Sequence, residues 1–309
     1  MAETQLTETE RRKIWGVHPN VFFLGLTSLL TDTSSEMIFT LLPLFLANVL
    51  AAPTAIIGLV GGLSDSTEAI FKIFSGRVSD KIHRPKLLTA MGYSLATVVK
   101  PLMLVAGSWG IVTAVRMGDR VGKGVRESPR DALLADSIHA AERGRSFGLR
   151  QAMDTTGAVL GLTLSAIIIY AVEGDATQIT LKSYHWLIIG GIIPAVLAVA
   201  VVLIFVRETR RSSNDGKHGS PSPQTTPFDL RFKIFLAILA VFTLGNFSDF
   251  FVILRAQHLD IPLIQVVGML VLFNIVYALT AWPAGILSDR VGRKRLIILG
   301  WSIYALIYL

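Results

Sequence analysis

Long apolar runs alternate with short polar loops along the whole chain. Nine apolar segments can be distinguished, numbered here in chain order: 20–49, 54–78, 87–107, 109–138, 146–171, 184–206, 232–256, 263–287 and 295–309. An α-helix needs about 20 residues to cross the hydrocarbon core of a bilayer, and most segments reach this length. Because backbone polar groups in lipid must bond within their own segment, each is predicted to be a helix. The pattern therefore predicts an all-α integral membrane protein.

The composition agrees with this class. Hydrophobic residues make up 52% of the 309 residues, and the mean hydropathy is +0.57. The sequence contains no cysteine, which excludes disulfides and thiolate metal sites within it. No apolar stretch follows a basic start in the N-terminal tail, so no cleaved signal peptide is predicted.

The net charge of +7 would by itself favour a nucleic-acid partner, but the positions of the basic residues argue against one. Bases gather in every second loop, at 11–13, 81–86, 143–145, 207–217 and 290–295, whereas the opposite loops hold almost none. Loops rich in lysine and arginine stay on the cytoplasmic side of a membrane. We therefore expect a cytoplasmic N-terminus, no nucleic-acid partner and a place in the bacterial inner (plasma) membrane.

A stretch rich in Ser, Pro, Gly and Thr at 211–227 divides the chain. This composition cannot build a core and is typical of a flexible linker. The last segment ends at Leu309 with barely enough residues to span a membrane, so we expect a chain truncated before helices 10 to 12. The predicted organisation is a cytoplasmic tail (1–19), a six-helix bundle (20–206), a cytoplasmic linker (207–231) and a partial second bundle (232–309).

One short phrase occurs twice, each time after an even-numbered segment and before the next. The first copy is Gly76-Arg77-Val78-Ser79-Asp80-Lys81-Ile82-His83-Arg84, and the second is Gly285-Ile286-Leu287-Ser288-Asp289-Arg290-Val291-Gly292-Arg293. Each is a turn with one acid among several bases. A duplicated basic turn between membrane-length helices indicates a transporter built from two repeats.

These phrases resemble the loop signature of the major facilitator superfamily, Gly-x-Leu-Ser/Ala-Asp-Arg-x-Gly-Arg-Arg/Lys. The second copy matches every defined position, whereas the first departs at Lys81 and His83. Segment 4 resembles the family pattern Arg-x-x-x-Gly-x-Gly-x-Gly through Arg116, Gly122 and Gly124, with Arg120 in place of a glycine. The resemblance implies an all-α bundle that works by alternating access.

Segment 5 carries a weaker likeness. Its run Gly157-Ala158-Val159-Leu160-Gly161 resembles the antiporter signature Gly-x-x-x-Gly-Pro-x-x-Gly-Gly, but the proline and the last glycine pair are absent. That signature is typical of exporters. Because the match is incomplete, the direction of transport stays open.

The family resemblance implies a role for the turn residues in conformational change. In the family, the acid of the turn pairs with a neighbouring base and with a helix N-terminus of the other half, which locks the outward-open state. The alternative is that the bases only hold the loop on the inner side. The residues expected to form this latch are Gly76, Asp80, Lys81, Arg84, Gly285, Asp289, Arg290, Gly292 and Arg293.

Charged residues inside the segments form a second group of candidates. An ionised side chain at mid-bilayer is costly, so it usually faces the bundle interior or water. A proton-coupled step is expected between the segment 1 acids Asp32 and Glu36 and the segment 4 arginines Arg116 and Arg120. Candidates for the substrate cleft are Asp65, Glu68, Asp154, Asn246, Asp249, Arg255, Asn274 and Tyr277.

Each of these charges has an alternative structural interpretation, as a member of an ion pair or as a chain that reaches the membrane surface. This interpretation is preferred for Lys72, Lys123, Arg126 and Arg130, because they approach the cytoplasmic ends of their segments. The run Gly122-Lys123-Gly124 could suggest a phosphate-binding loop. It lacks the spacing and the preceding strand of such a loop, so this interpretation is rejected.

We therefore expect a secondary active transporter that moves a small-molecule or ionic solute across the lipid bilayer. A proton gradient is the expected energy source, with no catalytic residue, metal or cofactor, and the chain is expected to act as a monomer. A uniporter is the alternative within transport. Outside it, a non-transporting sensor or assembly partner on the same fold is the main alternative, and a membrane-embedded enzyme lacks sequence support.

Overall fold

The computed structural model describes residues 14–82, 84–138, 142–174, 176–208, 229–244 and 248–308, and the statements below concern these residues. They form eleven α-helices and one 3₁₀ segment, with no strand. The helices are α1 (Pro19–Phe39), α2 (Leu42–Asn48), α3 (Thr54–Ile82), α4 (Pro85–Val99), α5 (Trp109–Asp136), α6 (Arg143–Glu173), α7 (Leu181–Phe205), α8 (Leu230–Leu244), α9 (Asp249–His258), α10 (Leu263–Val291) and α11 (Arg293–Tyr308), and the 3₁₀ segment (Lys100–Val105) continues α4.

Each of the nine predicted segments is helical, which confirms the predicted all-α class. Two segments predicted as single helices are interrupted at prolines. Segment 1 divides into α1 and α2 just before Pro43, and segment 3 tightens into the 3₁₀ segment at Pro101. Proline lacks a backbone N–H and clashes with the preceding turn, which explains both changes. Segment 7 also divides, into α8 and α9.

Within the described residues, six stretches are long and apolar enough to cross a membrane. They are Pro19–Asn48, Pro85–Val105, Ser146–Glu173, Leu181–Phe205, Phe232–His258 and Leu263–Thr280. The helices α3 and α5 are outside this set although they are 29 and 28 residues long. Both carry many charged side chains, and these two helices pack against each other.

Small residues allow close contact between helices in the first six segments. Helix α1 packs along α6 and α7, and α5 packs between α3 and α4. A Cβ atom on Gly161 would lie 2.5 Å from the Thr33 carbonyl oxygen, and one on Gly122 would lie 2.6 Å from the Gly92 carbonyl oxygen. Small residues at such crossings let backbones approach, so the glycine patterns of segments 4 and 5 have a packing role here.

Two clusters of buried side chains lie at opposite ends of the bundle. The larger one lies at the end that carries loops 49–53, 106–108 and 174–180, which we name the closed end. It includes Phe45 and Tyr184 from the first six segments and Ile253 and Val267 from the last three. The smaller cluster lies at the other end, near the basic loops, and its described members all come from the first six segments. The two halves therefore join at the closed end.

Candidate functional site

A cavity of about 550 Å³ lies between α1, α5, α6, α9 and α10. Its wall combines aromatic and aliphatic side chains with charged groups. The polar residues that line it are Asp32, Ser35, Glu36, Thr40, Arg116, Asp119, Arg120, Lys123, Arg126, Asp249 and Asn274. Small-molecule sites are usually concave and combine apolar walls with converging polar groups, and this cavity has both, with an unusually large share of polar residues.

Helix α5 supplies the basic wall of this cavity. Arg116, Arg120 and Lys123 recur every three or four residues, so they share one face of the helix. Arg116 is buried, its Cζ lies 4.2 Å above the centre of the Phe39 ring, and its Nη1 lies 3.4 Å from Asp119 Oδ2. The ring and the carboxylate together compensate for the buried charge.

Ion pairs connect the basic wall to α3 on its other side. Arg120 Nη1 lies 2.5 Å from Glu68 Oε2, and its Nη2 lies 3.6 Å from Asp65 Oδ1. Lys123 Nζ lies 3.2 Å from Glu68 Oε1. Asp65 and Glu68, which were predicted in the substrate cleft, therefore serve as partners of α5 and do not line the main cavity. Arg120 is engaged with them rather than with the acids of α1.

We expect a measurable coupling between Glu68 and Arg120 in a double-mutant cycle with Glu68→Gln and Arg120→Gln. Each single change leaves a half-buried charge without its partner, so the coupling free energy should be about 1.5–3 kcal/mol. The readout is the unfolding free energy of the purified protein in a mild detergent. Additive effects of the two changes would show that this ion pair does not hold α3 on α5.

Helix α1 supplies the acidic wall. Asp32 and Glu36 lie one turn apart and both line the cavity. Glu36 Oε2 accepts a hydrogen bond from the Thr40 hydroxyl, at the point where α1 ends. Asp249, the first residue of α9, adds a third carboxylate. None of these three acids forms an ion pair with a cation of the described residues. The cavity thus contains three acids without an ion-pair partner in the part of the chain that the structure describes.

The remaining cleft candidates occupy different places. Asn274 lines the cavity and donates from Nδ2 to the Leu270 carbonyl oxygen at 2.9 Å. Asp154 forms an ion pair with Arg150 on α6, with Nη1 and Oδ2 2.5 Å apart. Arg255 and Tyr277 are exposed and do not contribute to the cavity wall. Asn246 lies outside the described residues.

The two latch motifs lie where long helices end. Gly76, Asp80 and Lys81 are in the last turns of α3, and Arg84 precedes α4. Asp80 is exposed and forms no ion pair with a described residue.

In the second copy, Gly285 is part of α10, and Gly292 has a φ of +94° between α10 and α11, a conformation that favours glycine. The side chains of Asp289, Arg290 and Arg293 lie outside the described residues.

Sequence reasoning missed one buried cation and misplaced others. Lys100 is 1% exposed, and its Nζ donates to Ser34 Oγ at 2.7 Å and to Ser35 Oγ at 3.2 Å. Its position inside an apolar segment beside Pro101 was the available signal. Arg126 and Arg130, which were predicted to form structural ion pairs or to reach the membrane surface, are buried at 3% and 6% exposure, and Arg130 pairs with Asp131. The structure therefore agrees with the ion-pair alternative for Arg130, whereas neither arginine reaches the surface, because α5 directs both into the bundle.

Comparisons with known proteins agree with the fold. The sequence profile of the Major Facilitator Superfamily matches residues 24–309. An uncharacterized MFS-type transporter of Methanocaldococcus jannaschii is 36% identical over 298 residues, which cover 94% of this chain and 71% of that protein. Multidrug resistance protein MdtH of Cronobacter sakazakii is 26% identical over 152 residues, which cover 47% of this chain and 36% of that protein.

Solved structures share the fold at low sequence identity. A bacterial homologue of the human lysosomal transporter Spinster, in an inward-facing and unoccupied conformation, gives a TM-score of 0.64 at 15% identity. The match covers 89% of this chain and 63% of that one. The tetrameric peptide transporter PepTSo2 gives a TM-score of 0.54 at 16% identity, over 88% of this chain and 53% of that one. The chain thus spans between about half and two thirds of these transporters.

The fold is that of a helical integral membrane protein, and the family profile and the relative of 36% identity indicate a transporter rather than an enzyme. The chain belongs to the Major Facilitator Superfamily.

Proposed function

We propose that the protein is a secondary active transporter that moves a small solute by alternating access, driven by a proton gradient and without a cofactor. The observation that carries the proposal is the central cavity, in which acids of α1 and α9 that form no ion pair with a described residue lie together with the cations of α5. Transporters of this kind bind their cargo near the bilayer midplane, between the two halves. The proposed location is the bacterial inner membrane, with the N-terminus and the basic loops in the cytoplasm.

Contacts at the closed end support an inward-facing state. Gln257 Nε2 donates to Asn48 Oδ1 at 2.6 Å, and the Leu263 N–H donates to the Ala176 carbonyl oxygen at 3.0 Å. Phe251 packs at Gly58, where an added Cβ would lie 2.8 Å from its ring. These contacts join the last three segments to the first six on the side away from the basic loops. With the basic loops in the cytoplasm, the cavity would open inward.

The proton-coupled step is proposed for Asp32 and Glu36. Carboxyl groups inside a membrane protein commonly act as proton relays in transporters. Neither acid forms an ion pair with a described residue, which supports this role, and Arg116 and Arg126 of α5 line the same cavity. Arg120 has less support as a coupling residue, since Glu68 and Asp65 already engage it. Both symport and antiport fit this geometry.

The latch role of the first basic turn is tested by Asp80→Asn. Because Asp80 is exposed and forms no ion pair with a described residue, its loss should leave expression and thermal stability unchanged. If Asp80 forms a latch in the outward-facing state, the rate of solute flux should fall. A fall in flux that only follows a fall in expression would indicate that the turn fixes topology alone.

Solute flux in proteoliposomes, measured with and without an imposed pH gradient, separates the functional alternatives. The proposal expects the gradient to drive accumulation of the solute. Flux that ignores the gradient would indicate a uniporter. Complete absence of flux, together with access to the cavity from one side only, would favour the non-transporting sensor or assembly partner.

A further inference from the structure

Arg126 differs from the other cations of α5. It is 3% exposed and lines the central cavity, and its Nε and Nη1 atoms have no hydrogen-bond partner. Its Cζ lies 4.4 Å from the centre of the Tyr93 ring, which holds one face of the guanidinium group. A buried donor without a partner carries a large desolvation penalty, more so when it is charged. Two donors of this guanidinium group are therefore unsatisfied and shielded from solvent, and a ligand that enters the cavity and displaces the atoms covering them would satisfy them.

The neighbouring cations of α5 already have carboxylate partners. Arg116 pairs with Asp119, and both Arg120 and Lys123 pair with Glu68. Arg130 lies one turn beyond Arg126, is equally buried, and bonds Asp131 Oδ1 and Ser28 Oγ, each at 3.2 Å. Arg126 forms no ion pair with a described residue. Among the α5 cations that line the cavity, Arg126 is therefore the one without an ion pair to a described residue.

Asp32 is the internal group that could compete for Arg126. The two charges act on each other electrostatically across the cavity, but no hydrogen bond or ion pair joins them. A guanidinium group presents a planar fork of N–H donors that matches the two oxygens of a carboxylate or phosphate. The cavity of about 550 Å³ leaves room for such a group between α5 and α1.

We propose that Arg126 forms an oxyanion subsite, which binds a carboxylate or phosphate group of the transported solute. This inference rests on the proposed function, because it assigns one end of the solute to a wall of the same cavity. The stack on Tyr93 fixes the plane of the guanidinium group, so that its unpaired N–H groups are oriented before the solute arrives. The subsite selects solutes with an acidic group over purely cationic ones.

The test is the thermal unfolding midpoint of the purified protein in detergent, titrated with sodium phosphate or sodium succinate. Sodium chloride at matched ionic strength is the reference. We expect at least one oxyanion to raise the midpoint saturably at millimolar concentration. Arg126→Gln should raise the half-saturating concentration by about 10–100-fold, since it removes charged hydrogen bonds. Arg126→Lys, which keeps the charge but loses the fork, should be intermediate.

Arg130→Gln is the matched control, because it removes a buried arginine of the same helix that does not line the cavity. It should lower the midpoint without ligand but keep the response to the oxyanion. Phosphate also stabilises proteins because it is excluded from their surface. This contribution to the midpoint should be the same in the wild type and in Arg126→Gln. The inference is overturned if neither anion acts beyond chloride, or if Arg126→Gln keeps the wild-type response.

The binding measurement in detergent requires neither a gradient nor flux. The transport proposal and the oxyanion-subsite proposal can therefore be rejected independently of each other. Transport without an oxyanion response would retain the proposed function and reject the subsite. An oxyanion response that depends on Arg126, in a protein without flux, would retain the subsite and reject transport.

Discussion

Replacement of Glu36 by glutamine is expected to abolish the response of solute flux to a pH gradient. Glutamine keeps an oxygen that can accept the Thr40 hydrogen bond, so the end of α1 should retain its structure. It cannot bind and release a proton. Gradient-driven flux should therefore fall by about 100-fold or more. This is the lower limit of the rate contribution that a positioned proton-transfer group usually makes. The measurement is uptake or efflux in proteoliposomes with an imposed pH difference.

Glu68→Gln provides the matched control for this change. It removes the same kind of charge, but from a residue that pairs with Arg120 and Lys123 outside the main cavity. The control should lose stability and retain the response of flux to the gradient. Full pH-gradient coupling in Glu36→Gln would remove Glu36 from the mechanism and leave Asp32 as the remaining acid of α1.

The second large effect is expected for Gly161→Leu, which should strongly destabilise the contact between α1 and α6. A Cβ at this position would meet the Thr33 carbonyl oxygen at 2.5 Å and Glu36 Cβ at 2.9 Å. The nearest atom belongs to the helix backbone, which cannot move aside as a flexible side chain would. Overpacking of this kind costs about 1–3 kcal/mol or more. The readout is the thermal midpoint of the purified protein, together with the yield of folded protein.

Gly148→Leu is the control on the same helix, because an added Cβ there meets no heavy atom within 4 Å. It should be neutral or slightly stabilising, since leucine favours helices over glycine. Equal thermal midpoints for Gly148→Leu and Gly161→Leu would contradict the close packing of α1 on α6. Because Gly161 also touches Glu36, loss of flux in Gly161→Leu should accompany the loss of stability.

The membrane helices could be predicted from sequence because their signal is long and local. A run of about 20 apolar residues has one stable arrangement in lipid, so segment existence follows directly from composition. The breaks after Phe39 and before Lys100 depend on single prolines, whose effect varies with the surroundings. They were therefore missed within segments that were otherwise identified.

The candidate site could be predicted only in part. Charged residues in apolar segments are a visible signal, and Asp32, Glu36 and Asp249 do line one cavity. Their partners depend on the rotation of each helix, which packing sets and residue counting does not. Arg120 is turned to the acids of α3, and Arg126 is turned inward. Proximity to the end of a segment was a poor guide to exposure, because α5 is enclosed by α3 and α4.

The central claim is that the cavity opens alternately to the two sides of the membrane. It is tested most directly by Asn274→Cys on a cysteine-free background, since this residue lines the cavity and no solute needs to be known. Labelling by a membrane-impermeant maleimide is measured in vesicles of each orientation. The account predicts rapid labelling from the side of the basic loops and slower but complete labelling from the opposite side. Labelling from one side only, at every pH gradient, would contradict it.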